Sequence, residues 1–293
     1  MVRLLIPVPT ASHNTSAVVP RSVEWILRIG VTMDFLGHGM VGFGRPAAWV
    51  NYFGVVGIGH DAAYGLMPWV AIMYVAMALM ALVFPIRAFV FFMTLWALWT
   101  ALLRPLAGEP FWEAMERAGN YGAPWAFFLI LGEQRFGSWL RGGIAAFIDE
   151  RRKREICAVL RLTTVALMLG HGALGLLVRK PLLASHYDSL GLGGTAIEPW
   201  VGAFEIILSA AVLVRPGFGL LLFVFTWKVA TELLSPIAGS SFWVFVEHGG
   251  SYAAPLALAL LQLAWLTEEE PATVSRVAGC VLDDTPPGTP NPV

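Results

Sequence analysis

Between residues 23 and 267 the chain is a succession of apolar runs separated by short segments rich in glycine, proline and aromatic residues. A helix needs about 20 largely apolar residues to cross the hydrocarbon of a bilayer. Runs approaching that length fall at 23–43, 65–84, 87–104, 121–140, 156–178, 199–214, 217–235 and 250–267. In lipid every backbone polar group must be paired within the protein, which leaves helices as the natural form for such runs. The expected fold is all-α: a polytopic membrane protein with about eight spans. Composition points the same way, with 57% hydrophobic and only 13% charged residues among 293, against about 25% charged in soluble domains. So little charge cannot coat a water-facing surface. Twelve Trp and eighteen Phe suit the two bilayer interfaces. A net charge of -1 gives no ground for a nucleic-acid partner. The only cysteines, Cys157 and Cys280, make neither a metal-binding spacing nor a disulfide framework, and no metal site is expected.

The runs fall into two similar sets. Leu36-Gly37-His38-Gly39 returns as Leu169-Gly170-His171-Gly172, and Arg28 returns as Arg161 at the same offset of 133. From Pro68-Trp69 and Pro199-Trp200 onward the offset is 131. It then pairs Pro85 with Pro216, Trp96 with Trp227, Pro105 with Pro236, Phe111-Trp112 with Phe242-Trp243, Glu116 with Glu247 and Tyr121 with Tyr252. Apolar similarity alone would align leucines, not this ordered set. The expectation is a tandem duplication of a four-helix unit. An even number of spans per unit makes the two copies parallel, related by an axis along the membrane normal.

Thirteen basic residues fall on the side of the amino terminus against five on the other, with the run Arg151-Arg152-Lys153-Arg154 weighing most. By the positive-inside rule both termini are cytoplasmic, in a multi-pass protein of the inner (cytoplasmic) membrane. The expected organisation is a flexible arm at 1–21, a first four-helix unit at 22–142, a basic cytoplasmic linker at 143–155, a second unit at 156–267 and a disordered tail at 268–293. Segments 105–120 and 236–249 are short, polar and aromatic, and suit re-entrant or interfacial elements.

Counted at about 1.5 Å per residue, the scarce ionisable groups gather in the outer half of each unit. His38 and His171 end the first helix of each. Asp34 lies four residues before His38 and can accept a ring N–H; its counterpart is Leu167. Glu205 lies five residues past Trp200, where the first unit has Tyr74. Trp227, Lys228 and Glu232 follow on the third helix, and Trp243, Glu247, His248 and Tyr252 on the returning segment. Ionisable residues within spans are costly and face the bundle interior, paired or functional. His171, Glu205, His38 and Asp34 are the candidate proton-handling groups. Trp227, Trp243, Trp96, Trp112, Tyr74 and Lys228 are the candidate walls of a binding pocket. Each has a plainer alternative: histidines as interhelical hydrogen-bond glue, tryptophans as interfacial anchors, and Lys228 with Glu232 as a self-neutralising pair four residues apart. His60 and Asp61 fall in an expected glycine-rich loop. No phosphate loop, dinucleotide fingerprint or metalloprotease helix occurs.

The residues assembled above resemble the DoxX-like family of small bacterial membrane proteins, which includes the DoxD-type subunit of thiosulfate:quinone oxidoreductase. In the second unit the resemblance rests on Arg161, His171-Gly172, Gly191-Leu192-Gly193, Gly202-Ala203-Phe204-Glu205 and Arg215-Pro216-Gly217. In the first it rests on Arg28, His38-Gly39, Gly57-Ile58-Gly59 and Pro85, with Tyr74 in place of the glutamate. It implies a four-helix bundle per unit and a connection to quinone or sulfur chemistry. The fused double unit and the absent first-unit glutamate are departures that weigh against carrying over the thiosulfate reaction. The leading expectation is a redox-associated membrane protein with a quinone or similar lipid-soluble carrier in an outer-half pocket. A variant has His38 and His171 as axial ligands of a haem. The alternatives are a non-enzymatic accessory subunit binding another membrane protein or lipid, and, less favoured, a transporter.

Overall fold

The computed structural model describes residues 19–131, 148–192 and 196–279, and every regular element among them is helical. The order is α1 (Arg21–Phe43), α2 (Ala48–Val55), α3 (His60–Val83), α4 (Arg87–Leu106), α5 (Trp112–Glu116) and α6 (Ala118–Ile130). It continues with α7 (Glu150–Ala173), α8 (Pro181–Asp188), α9 (Glu198–Val214), α10 (Phe218–Ile237), α11 (Phe242–Val246) and α12 (Gly249–Gly279). A π-helical turn, Leu174–Val178, extends α7. Each expected apolar run overlaps a helix among the described residues. The two segments expected at an interface hold the short helices α5 and α11. Proline sets several of the breaks: Pro85 and Pro216 lie in the turns before α4 and α10, where a residue without N–H cannot continue a helix. Pro181 starts α8 at a position where its missing N–H costs nothing.

Among the described residues, five segments are long and apolar enough to cross a membrane: His60–Val83, Arg87–Leu106, Arg151–Val178, Phe218–Ile237 and Phe242–Ala264. The other three expected spans meet the length or the apolarity less well. Helix α1 carries Arg21, Glu24, Arg28 and Asp34, α9 has 17 residues, and α6 has 13. The rest of the expected 121–140 span, beyond residue 131, lies outside the described residues, as do most of the 1–21 arm and the first part of the 143–155 linker. His60 and Asp61 are not in a loop but open α3, behind the extended backbone of Gly59. Helix α12 runs to Gly279, past residue 268 where the acidic run suggested a disordered tail; residues 280–293 lie outside the described residues.

Helices α1, α6, α7 and α12 form the centre, with α3 against α1, α9 against α7, α4 against α6 and α10 against α12. The layering shows in exposure: 78% of the most apolar window of Phe242–Ala264 is buried, against 28% for α4 and for α10. The outer helices turn apolar surface outward. Trp69, Phe84, Trp200 and Val214 are 69, 70, 77 and 81% exposed. A water-soluble monomer rarely shows apolar patches on this scale, whereas lipid is their natural solvent.

Packing at the centre is reciprocal. Short helix α11 lies on α1, and α5 lies on α7. At the first crossing a β-carbon on Gly37 would collide with the backbone of Glu247; at the second, one on Gly170 would collide with the backbone of Glu116. These glycines permit the close approach that positions Glu247 beside α1 and Glu116 beside α7.

Candidate functional site

A cavity of about 250 Å³ opens in the first half of the chain. His38 from α1, Tyr74 from α3 and Trp96 from α4 line it, together with Trp49 and Tyr52 from α2, Arg104, Arg117, Asn120 and, from the second half, Glu247. The His38 ring stacks on Tyr74 with centroids 5.4 Å apart, and Tyr74 meets Trp96 edge-on at 6.3 Å. His38 Nδ1 lies 2.9 Å from the Asp34 carbonyl and 3.1 Å from Asp34 Oδ1, while Nε2 points toward Glu247 Oε2 at 4.0 Å. Asp34 therefore holds the ring from the α1 side, as its spacing suggested. At the polar end the Tyr52 hydroxyl donates to Glu109, and Arg104 sits 5.4 Å from the Tyr52 ring centre. Burial pushes the Tyr52 phenol up to about 12; Arg104 opposes this and the bond to Glu109 adds to it.

Three polar atoms of this lining are buried and make no hydrogen bond within the protein: Trp96 Nε1, Arg117 Nε and Asn120 Oδ1. Buried polar groups are nearly always paired, and leaving one unpaired costs about 1–3 kcal/mol. Of these, Arg117 Nε still has the Glu116 carboxylate 3.9 Å away, Asn120 Oδ1 calls for a donor, and Trp96 Nε1 calls for an acceptor.

In the second half, the corresponding side chains close on one another. Glu205 is fully buried. Its Oε2 lies 2.5 Å from His171 Nδ1, and its Oε1 accepts from Trp227 Nε1 at 2.9 Å. Trp227 also packs against Phe204, centroids 5.0 Å apart. The buried Lys228 gives its ammonium to Glu232 Oε1 at 2.6 Å, so Glu205 is paired by His171 and Trp227 rather than by Lys228.

A belt of charge joins the two clusters. Arg104 reaches Glu109 at 3.2 Å and Glu113 at 3.6 Å, and Lys180 reaches Glu113 at 2.6 Å. Arg117 bonds Glu247 at 3.2 Å and lies 3.9 Å from Glu116. His248 stands between Glu116 at 3.6 Å and Glu232 at 3.5 Å.

Of the residues singled out from sequence, His38, Tyr74 and Trp96 line the cavity, with Asp34 behind His38. His171, Glu205 and Trp227 form their own bonded triplet, and Lys228 pairs with Glu232. Trp112 and Trp243 are half-buried and pack on Phe111 and Phe242, apart from the cavity lining. Sequence reasoning missed Trp49, Tyr52, Arg104, Arg117 and Asn120. Part of the signal was present: Arg104, Glu109, Glu113, Glu116 and Arg117 crowd one short stretch between two apolar runs, a density of charge that bilayer topology alone does not call for. Comparison with family models, with curated proteins and with solved structures finds no match to this chain.

Proposed function

We propose that this chain is a DoxX-like, multi-pass protein of the inner membrane, built as a tandem duplication of a four-helix unit, whose first-half cavity receives a quinone or a similar flat, lipid-soluble carrier. The observation that carries the ligand reading is the unpaired indole N–H of Trp96. Its repeat partner Trp227 donates to Glu205, whereas Trp96 lines the cavity with Tyr74 in the place of that glutamate, and its buried Nε1 has no well-formed hydrogen bond within the protein. A ligand carbonyl is the acceptor such a donor fits. An apolar cavity of about 150 Å³ already holds benzene, so about 250 Å³ has room for a substituted six-membered ring. Tyr74 and Trp96 supply faces for that ring, and Arg117, which also bonds Glu247, a second donor. His38, held by Asp34, is placed to give or take a proton at the ligand's edge, the role general acid–base chemistry asks of an imidazole.

The duplication is supported by the element order, in which long, short, long, long, short and long helices occur twice. The reciprocal contacts Gly37 with Glu247 and Gly170 with Glu116 support it further. They exchange repeat partners across one axis, as in a two-fold interface. On this reading α1, α6 and α9 complete eight spans and both termini are cytoplasmic.

Calorimetric titration of the purified protein with a short-chain ubiquinone tests the ligand assignment. Saturable binding near one equivalent is expected, weakened by about 10-fold in Trp96→Phe, which keeps an aromatic ring and removes one donor worth about 1.4 kcal/mol. Absence of saturable binding by the folded protein, or equal affinity in Trp96→Phe and Arg117→Gln, overturns it.

A further inference from the structure

Glu247 and His248 are consecutive, yet they face different places. Glu247 lines the cavity, while His248 turns to Glu116 of α5 and Glu232 of α10. We infer that Glu116, Glu232 and His248 form a binding site for a first-row divalent metal ion at the seam between the two halves, separate from the ligand cavity.

One ligand atom from each of the three lies within 4.8 Å of the others. Metal–ligand bonds of about 2.1 Å place neighbouring donors about 3.4 Å apart in a tetrahedral shell, and His248 Nε2 stands 3.6 Å from Glu116 Oε1. His248 is 5% exposed and its two nitrogens are differently placed. Nδ1 lies 2.7 Å from the carbonyl oxygen of Val244, the distance of a donated N–H, whereas Nε2 is buried and has no hydrogen-bond partner. Metal-ligating histidines are held this way: one nitrogen donates to a carbonyl or carboxylate and so keeps the lone pair of the other for the metal. At 3.6 Å, Nε2 and Glu116 are too far apart for a hydrogen bond and well spaced for a shared ion.

The flanking cations leave the inner oxygens open. Lys228 bonds Glu232 Oε1, which leaves Oε2 on the His248 side, 3.5 Å from Nδ1; Arg117 lies nearest Glu116 Oε2, so Oε1 faces His248 Nε2 at 3.6 Å. One imidazole and two carboxylates without a thiolate select Mn2+, Fe2+ or Zn2+ over Cu(I).

The test uses the full chain, purified, stripped with a chelator and titrated with Co2+ as a spectroscopic probe. One equivalent should bind and develop visible d–d absorption. X-ray absorption of the Co2+-loaded wild type should show a first shell of nitrogen and oxygen with no sulfur. Losing an outer-shell partner alone costs about 10–100-fold in metal affinity, so His248→Ala and Glu232→Gln should each lose about 100-fold or more. Glu109→Gln, outside the triad, should bind Co2+ as the wild type does. If a variant fails to fold, the wild-type absorption shell decides. Failure of the folded wild type to bind Co2+, a shell containing sulfur, or affinity unchanged in both ligand variants overturns the site. Quinone titration of the same His248→Ala sample separates the two assignments, because loss of metal with quinone affinity retained upholds the metal site independently of the cavity.

Discussion

Replacing Glu205 distinguishes a paired charge from a generic buried side chain. The carboxylate is fully buried, and both oxygens are engaged, with His171 Nδ1 at 2.5 Å and Trp227 Nε1 at 2.9 Å. Glu205→Leu conserves much of the volume but strands one indole N–H and one imidazole nitrogen away from water. Each stranded group costs about 1–3 kcal/mol, and breaking one partner out of a buried ion pair costs about 3–5 kcal/mol in soluble proteins. Membrane interiors soften such losses, since single interhelical hydrogen bonds there average about 0.6 kcal/mol. These bounds place the expected loss for Glu205→Leu near 3 kcal/mol. Glu205→Gln retains an oxygen for Trp227 and offers an amide N–H to the His171 ring, so about 1 kcal/mol is expected. Reversible unfolding in mixed micelles, titrated with dodecyl sulfate and followed by far-ultraviolet circular dichroism, measures both. If the Leu variant falls within about 0.5 kcal/mol of wild type, or if Gln costs as much as Leu, the bonded triplet is not what holds α7, α9 and α10 together.

Gly37→Leu and Gly170→Leu should each prevent the close approach of α11 to α1 and of α5 to α7. Both should lower the unfolding midpoint by comparable amounts; a large effect at only one position would count against reciprocal packing. Because the raised Tyr52 pKa belongs to the folded state, the stability it contributes is present below about pH 10 and is lost as pH rises toward 12. Tyr52→Phe should flatten that alkaline loss in a pH series of unfolding curves. Tyr74→Glu gives the first half the carboxylate the second half has, so it should capture the Trp96 N–H and lower quinone affinity by about 10-fold. Unchanged affinity in the calorimeter would show that Trp96 does not bind the ligand.

Helix positions were legible because lipid imposes a length on every apolar run and proline marks the breaks, as at Pro85 and Pro216. Contacts between runs were less so. Asp34 beside His38 could be placed, since a spacing of four residues on one helix is a local matter. The pairing of Glu205 with Trp227 crosses two helices, and Lys228 offered an equally reasonable partner until its own neighbour Glu232 claimed it. Arg117 to Glu247 spans 130 residues, and no periodicity announces a contact at that distance. Glu116, Glu232 and His248 come from three elements, so their convergence left no motif. The cavity was the least visible feature, because an empty volume depends on what the surrounding side chains fail to fill.

Residues 74 and 205, partners at the offset of 131, account for much of the difference between the halves. A glutamate at the second position must be neutralised or bonded once it is buried, and it draws in His171 and Trp227. Tyrosine at the first makes no such demand. His38 stacks on its ring and is held by Asp34 instead, and the Trp96 Nε1, with no carboxylate to meet, stays buried without a well-formed hydrogen bond. Reciprocal crossing of α5 and α11 then gives each half a residue of the other: Glu247 enters the first-half cavity, and Glu116 reaches toward Glu232 in the second. Under the proposed duplication, this exchange made both halves necessary to each site while leaving their chemistry free to separate. The second half has a packed, charge-bonded interior, and the first has a cavity.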